Sequence, residues 1–284
     1  MEIIDFVFSR VQYLLPQHLL SRLVHAFMHI RINLIKNLQI WIVGWLAGVD
    51  WAEARSPHAV DYPDFNAFFT RELAAGARPL DPDPLAFISP CDGRISQCGR
   101  VTNDRALQAK GSSFSLRALL SNDPLAHDFT NGFFHTLYLA PRDYHRVHMP
   151  MAGTLQRMIH VPGRLFSVAP STVRHVHNLF VRNERIISLF DTSHGPMAVI
   201  LVGAMLVSSV ETVWAGPITP PRVRRVSTGD WSRRGISLKK GEEMGRFNMG
   251  STVIVLLPAT AISVLTELGP GDSVLMGQKL GRLR

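Results

Sequence analysis

Gly245-Arg246-Phe247-Asn248-Met249-Gly250-Ser251-Thr252-Val253-Ile254-Val255-Leu256-Leu257 ends in an apolar, β-branched run closed by Pro258. Such a run predicts a buried strand, with Gly250 and Ser251 at its entrance, where glycine permits backbone conformations that other residues resist. A serine there follows a flexible, uncrowded carbonyl, which is what an internal acyl shift requires. The Ser251 hydroxyl attacks the Gly250 carbonyl, the amide becomes an ester, and elimination of the ester breaks the chain. Hydrolysis of the eliminated residue leaves a pyruvoyl group, a ketone able to form a Schiff base with an amine and to accept electrons. On its own, Gly250-Ser251-Thr252 has equally the composition of an ordinary turn.

Upstream, segments 133–140, 155–161, 185–190, 197–202 and 205–213 are short β-prone runs separated by Gly or Pro. With Ala86-Phe87-Ile88 and the turn signal Asp92-Gly93, they predict an α+β chain that is mainly β. The expected core is a compact barrel or sandwich, not a parallel βαβ sheet. Downstream, Leu268-Gly269-Pro270-Gly271-Asp272-Ser273-Val274-Leu275-Met276-Gly277-Gln278-Lys279-Leu280-Gly281 is similar to the Gly-rich hairpins of lipoyl and biotinyl carrier domains. Lys279 lacks the flanking Met-Lys turn of a carrier lysine, so this resemblance implies a fold and no swinging arm. Phe65-Asn66-Ala67-Phe68-Phe69-Thr70-Arg71-Glu72-Leu73 predicts a short helix capped by Asp64 and closed near Gly76, with its three phenylalanines in the core.

The first sixty residues read differently, with Pro57 and Pro63 marking the boundary between an N-terminal helical segment, 1–60, and a β-rich domain, 61–284. Leu19, Leu20, Leu23, Val24 and Phe27 form one apolar stripe at helical spacing, opposite His18, Arg22, His25 and His29. A second stripe runs Ile35, Leu38, Ile42, Trp45, Val49, with Arg31 and Lys36 near its start. The apolar run 40–49 is too short to cross a bilayer of ~30 Å, and no signal-peptide cleavage site follows it. Two readings stand: amphipathic helices in a membrane interface with Trp41, Trp45 and Trp51 at headgroup depth, or a helical hairpin packed on the core.

Thirty Lys+Arg against twenty-two Asp+Glu give a net charge of +8 in 284 residues. That balance favours a polyanionic partner. The basic residues are scattered and form no nucleic-acid motif, which points away from nucleic acid and towards an anionic membrane surface. Cys91 and Cys98 have no metal-ligand companions and are too few to staple a secreted fold, so a reducing cytoplasmic setting is expected.

Tyr138-Leu139-Ala140-Pro141-Arg142-Asp143-Tyr144-His145-Arg146-Val147-His148-Met149-Pro150 is the richest chemical stretch. His145 with His148, and His175 with His177, could in principle be zinc ligands. Pro141 and Pro150 bracket too short a span for a sustained helix, and no glutamate completes an H-E-x-x-H motif, so no metal is expected. His175 and His177 are read as surface residues of an extended segment.

Several words of this sequence together resemble the bacterial phosphatidylserine decarboxylases. They are Phe68-Phe69-Thr70-Arg71-Glu72-Leu73, Ser89-Pro90-Cys91-Asp92-Gly93, Tyr144-His145-Arg146-Val147-His148-Met149-Pro150, Leu179-Phe180-Val181-Arg182-Asn183-Glu184-Arg185 and Lys240-Gly241-Glu242-Glu243-Met244-Gly245-Arg246-Phe247 followed by Met249-Gly250-Ser251-Thr252. They fall in the family's order and at comparable spacing. Met249 stands where Leu is the commoner word, an apolar exchange of similar size.

The resemblance implies a membrane-associated, pyruvoyl-dependent enzyme that decarboxylates phosphatidylserine to phosphatidylethanolamine in phospholipid biosynthesis. It implies a zymogen that cleaves itself between Gly250 and Ser251 into a β chain, 1–250, and an α chain, 251–284, which begins with the pyruvoyl cofactor formed from Ser251. Asp92, His148 and Ser251 would form the self-cleavage triad, with His148 as base and Asp92 orienting it. His145 is the candidate proton donor in decarboxylation, on its place in the motif and the ordinary imidazole pKa. The expected partners are phosphatidylserine and the cytoplasmic face of the cell membrane, held peripherally, and a homodimer is compatible with the family. The competing reading is a non-enzymatic carrier or membrane-docking module, which leaves Asp92, His148 and Ser251 without a task.

Overall fold

Every residue from Thr252 to Leu257 is buried, as the apolar run requires, and this strand occupies an interior position in the largest sheet. The computed structural model describes residues 2–109, 111–205, 209–218, 225–248 and 251–284. Met249 and Gly250 lie outside them. Among the described residues the sheet runs, strand by neighbouring strand, Ser227–Asp230, Gly153–Val161, Arg185–Thr192, Gly195–Val202, Thr252–Leu257, Phe133–Tyr138, Gly93–Arg100, Ser273–Val274, and every pairing is antiparallel. Its two end strands do not pair with each other, so the β core is open and not a closed barrel. Ser237–Leu238 adds a short strand beside Gly153–Val161.

Smaller antiparallel sheets pack beside it. Arg146–His148 pairs with Glu243–Phe247, which pairs in turn with Val210–Thr212, the described part of the run expected over 205–213. The C-terminal hairpin reads as expected in part: Ser273–Val274 joins the large sheet, while Lys279–Leu283 lies between Ala86–Ile88 and Ile262–Leu265. The chain is thus α+β and mainly β, with one main hydrophobic core between these layers.

The N-terminal segment forms three helices, α1 Glu2–Val11, α2 Gln17–Met28 and α3 Asn33–Ala47. Their polarity is inverted relative to a globular surface helix. Gln12, Gln17, Ser21, Lys36 and Gln39 are buried, while Leu19, Leu23, Phe27, Leu38, Trp41 and Trp45 are exposed. The buried amides dock the helices on the β domain. Gln12 Oε1 accepts from Ser167 N at 2.8 Å and Gln17 Oε1 accepts from Leu165 N at 2.8 Å. Lys36 Nζ is held inside the protein by Asn37 Oδ1 at 2.8 Å, with the Ala59 carbonyl at 3.4 Å.

Trp51 is not free for headgroups: it stacks on Phe68 with ring centroids 4.9 Å apart. His175 does not lie on an extended segment, because Pro170 fixes the first turn of a helix, Pro170–His175. The helix expected after Asp64 forms as α4, Phe65–Phe69, with Asp64 Oδ1 accepting from Ala67 N at 2.9 Å. It stops earlier than expected, and its three phenylalanines are buried in a second core beneath α3.

Candidate active site

Two registers bring the candidate residues to one end of the large sheet. Tyr138 pairs with Arg94 on one side and with Thr252 on the other. The strands beginning at Gly93 and Thr252 therefore start side by side with one strand between them, roughly 10 Å apart at the usual strand spacing. Asp92 and Ser251 are the residues just before those starts. Gly93 makes this possible: its φ is +150°, and a Cβ there would lie 2.4 Å from the Tyr138 carbonyl oxygen.

The second register delivers the histidines. The chain from Glu243 to Phe247 pairs with Arg146–His148, and Phe247 N donates to His145 O at 3.0 Å, four residues before Ser251. His148 N donates to Pro90 O at 2.7 Å, which sets the imidazole strand against the Asp92 loop. Asp143 N donates to Ala140 O at 2.9 Å, and Asp143 Oδ2 accepts from Ala140 N at 2.7 Å, so the segment after Pro141 is a tight turn.

Ser251 is fully buried, and its Oγ has no hydrogen-bond partner among the described residues. Its carbonyl accepts from Leu139 N at 3.0 Å, which fixes the residue on the C-terminal side of the Gly250–Ser251 bond. Gly250 itself lies outside the described residues. A buried hydroxyl left without a partner costs about 1–3 kcal/mol, so among the described residues the strand carries an unsatisfied hydroxyl at its entrance.

His148 is buried, with Nδ1 2.8 Å from the Gly241 carbonyl and Nε2 3.0 Å from the Tyr144 hydroxyl. A carbonyl only accepts, so Nδ1 carries the proton, and Nε2 is the acceptor, here of the Tyr144 hydroxyl. Burial lowers the His148 pKa, against the opposing pull of the Gly241 carbonyl. The ring is therefore neutral and basic at Nε2, the form a general base needs.

Asp92 does not hydrogen-bond His148 in this geometry, so the orientation that the family resemblance assigns to Asp92 is supplied by Gly241. The Asp92 carboxylate is held instead by Met276 N at 2.8 Å and by Arg78, whose Nη2 lies 2.6 Å and whose Nε lies 2.9 Å away. Arg78 also grips Glu53 with Nη1 at 2.8 Å and Nη2 at 2.6 Å. Burial works against its charge, and the bonds to Asp92 and Glu53 outweigh it, raising its pKa. Arg78 lies in Ala77-Arg78-Pro79-Leu80, another stretch that resembles the family, but its grip on Asp92 and Glu53 was not read from the sequence. Removing one partner of such a cluster leaves a buried charge uncompensated, so Arg78→Ala should destabilise the fold by about 3–5 kcal/mol. Urea unfolding of the uncleaved chain measures this, and a loss below 1 kcal/mol on the same scale would contradict the geometry.

His145 departs from expectation in a different way. Its Nδ1 donates to the Asp143 carbonyl at 2.7 Å, its ring lies 4.0 Å from that of Phe69, and Nε2 is buried without a partner among the described residues. Burial, reinforced by the Arg71 charge, lowers its pKa to about 3. It is neutral in this state, so the argument from an ordinary imidazole pKa does not hold for it.

A cavity of about 510 Å³ opens beside this centre, lined by Asp92, Gly93, Tyr138, Ala140, Arg142 and Asp143 among others. Burial raises the Asp143 pKa. Cys91 and Cys98 are free thiols. Among the described residues no three His, Cys, Asp or Glu side chains are grouped to hold a metal ion.

Residues 65–282 match the family model for phosphatidylserine decarboxylase, and residues 7–43 match a second, shorter model, PSD. The chain is 53% identical over 281 residues to a protein of Ectopseudomonas mendocina, covering 97% of each chain. It is 51% identical over 276 residues to one of Pseudomonas fluorescens, covering 95% of each, and 51% identical over 274 residues to one of Xanthomonas campestris pv. campestris, covering 96% and 97%. Each of these relatives is named a phosphatidylserine decarboxylase proenzyme. These matches define an enzyme of the decarboxylase class. The chain belongs to the phosphatidylserine decarboxylase family.

Proposed function

We propose that this protein decarboxylates phosphatidylserine to phosphatidylethanolamine, after cleaving itself between Gly250 and Ser251 to form a pyruvoyl group from Ser251. The observation that carries this reading is the buried, unpartnered Ser251 Oγ at the entrance of the central strand. It suits the group, because a small hydroxyl with no competing hydrogen bond is free to attack the carbonyl before it. His148 takes the Ser251 proton on Nε2 when Tyr144 releases that nitrogen, and Nδ1–H stays on the Gly241 carbonyl and holds the ring in place. The Asp92 carboxylate acts on the resulting imidazolium through its field. The pyruvoyl group supplies an electron-accepting ketone for the loss of carbon dioxide. His145 returns a proton to the product through Nε2. The anionic charge of the bound substrate counters the Arg71 charge that helps keep His145 neutral.

Denaturing mass spectrometry tests the reading. The purified protein should resolve into pieces 1–250 and 251–284, with a ketone at the start of the second. A single intact chain, together with no turnover of phosphatidylserine, would sink it.

The same reading takes segment 1–60 as a peripheral anchor on the cytoplasmic face of the membrane. Its support is the inverted polarity of α1, α2 and α3, whose exposed faces carry leucines, Phe27, Trp41 and Trp45 while their amides face inward. Among the described residues no helix is long and apolar enough to cross a membrane. Burying a large apolar side chain in the interface contributes about 1.5–3 kcal/mol, so Trp41→Ser and Trp45→Ser should each weaken binding to anionic vesicles about tenfold or more. High salt should weaken it further in part, because the basic chain is also attracted to the surface charge. Sedimentation with vesicles measures both, and unchanged binding of the double variant would refute the anchor.

A further inference from the structure

Arg71, just past α4, is 4% exposed, yet only its Nη2 is engaged by hydrogen bonding, donating to the Arg142 carbonyl at 3.1 Å. Nε and Nη1 are buried without a partner among the described residues. Its guanidinium lies 5.6 Å from the centre of the Phe68 ring. Nearby carboxylates are committed elsewhere: Asp92 and Glu53 to Arg78, and Glu72 to Arg55 and Arg146. A guanidinium has five donors in a planar fork suited to oxyanions, and burying it with most of them idle is costly unless an anion completes it.

Arg71 borders a cavity of about 180 Å³ that it shares with Arg55, Tyr62, Glu72 and Arg146. Arg55 pairs with Glu72, and Arg146 with Glu72 and with Glu243 at 2.8 Å, so the positive charge left without an ion-pair partner among the described residues at this cavity is that of Arg71. Tyr62 and Phe68 belong to the core under α3, whose outer face is apolar and exposed. On the other side, the Arg142 that accepts from Arg71 lines the cavity beside Asp92 and Asp143. The site therefore links the apolar helical layer to the reacting centre.

We propose that Arg71 binds the phosphodiester of the lipid headgroup, with Nε and Nη1 donating to its non-bridging oxygens. This rests on the reading of phosphatidylserine as substrate. The phosphodiester fits better than the other substrate anion, the carboxylate. A carboxylate must shed its charge as carbon dioxide leaves, and a guanidinium gripping it would stabilise the ground state against that loss. The phosphodiester keeps its charge throughout, so binding it strengthens substrate capture without opposing the chemistry.

Binding of the soluble phosphodiester glycerophosphoethanolamine to the full chain in maltoside micelles, by titration calorimetry, tests the site. Arg71→Gln should weaken it about tenfold or more, and Arg71→Lys, which keeps the charge and loses the fork, by less. Ethanolamine, which lacks the phosphate, should not distinguish the variants. With short-chain phosphatidylserine, Arg71→Gln should raise KM about tenfold with a much smaller change in kcat, and the cleaved fraction should stay normal. Equal affinity in wild type and Arg71→Gln overturns the proposal, as does a kcat loss at unchanged KM. If the variants fail to fold, labelling of the wild type with phenylglyoxal decides. Glycerophosphoethanolamine should protect Arg71 and ethanolamine should not, and absence of protection overturns the assignment. Should the wild type neither cleave nor turn over phosphatidylserine, the functional reading fails. Should it do both while the Arg71 tests come out negative, only the phosphodiester site fails.

Discussion

Ser251→Ala should yield one uncleaved chain and no phosphatidylethanolamine. Alanine has no oxygen to attack the Gly250 carbonyl, so neither ester nor ketone forms, and catalysis that depends on an electron-accepting carbonyl has no substitute in the remaining side chains. The fold itself should survive, because Oγ makes no hydrogen bond among the described residues, and removing an unsatisfied buried hydroxyl relieves a cost. Far-ultraviolet circular dichroism and a denaturing gel separate these statements: native secondary structure with an intact chain is expected. Ser251→Cys should process slowly, since a thiol also carries out the acyl shift, but burial keeps it as the less reactive thiol. Efficient cleavage of the alanine variant, or turnover without cleavage, would refute the pyruvoyl reading.

The central strand was legible because its apolar run has no competing interpretation once Pro258 closes it, and the structure seats it inside the sheet. The amphipathic stripes of α2 and α3 were legible as well, but not their orientation. Periodicity says that one face is apolar, and it does not say whether protein or lipid will cover it. Here Gln12 and Gln17 face the β domain and satisfy the backbone of Leu165 and Ser167, while the leucines face out. The role of Arg78 was hidden for another reason. Its partners, Asp92 and Glu53, are 14 and 25 residues away in sequence, and a cluster assembled at that range leaves no local spacing to read. The His145 pKa was equally out of reach, since it depends on burial, with Phe69 packed against the ring, and on the Arg71 charge.

His148→Ala should accumulate uncleaved chain, whereas His145→Ala should be cleaved at least in part and then decarboxylate poorly. The two rings are three residues apart, His145 just after the tight turn and His148 at the end of the strand Arg146–His148, but their surroundings differ in the way the two steps require. His148 is held by the Gly241 carbonyl on Nδ1, and its basic Nε2 accepts from Tyr144, so it can take a proton before cleavage once Tyr144 releases that nitrogen. His145 is buried, its Nε2 has no partner among the described residues, and burial with the Arg71 charge keeps it neutral, so in the proposed function it serves only once anionic substrate is bound, after cleavage. General acid–base groups contribute roughly 10²–10⁴-fold, and each loss should fall in that range, on cleavage for His148 and on kcat for His145. Asp92→Asn should slow cleavage less than His148→Ala, because Asp92 reaches His148 through its field and moves no proton. Tyr144→Phe should leave cleavage at least as fast as in the wild type, since it removes the donor that occupies His148 Nε2. The measurement is the intact-to-cleaved ratio on a denaturing gel, beside ethanolamine lipid formed per cleaved molecule. Normal cleavage in His148→Ala, or full turnover per cleaved molecule in His145→Ala, would show that these roles are misassigned.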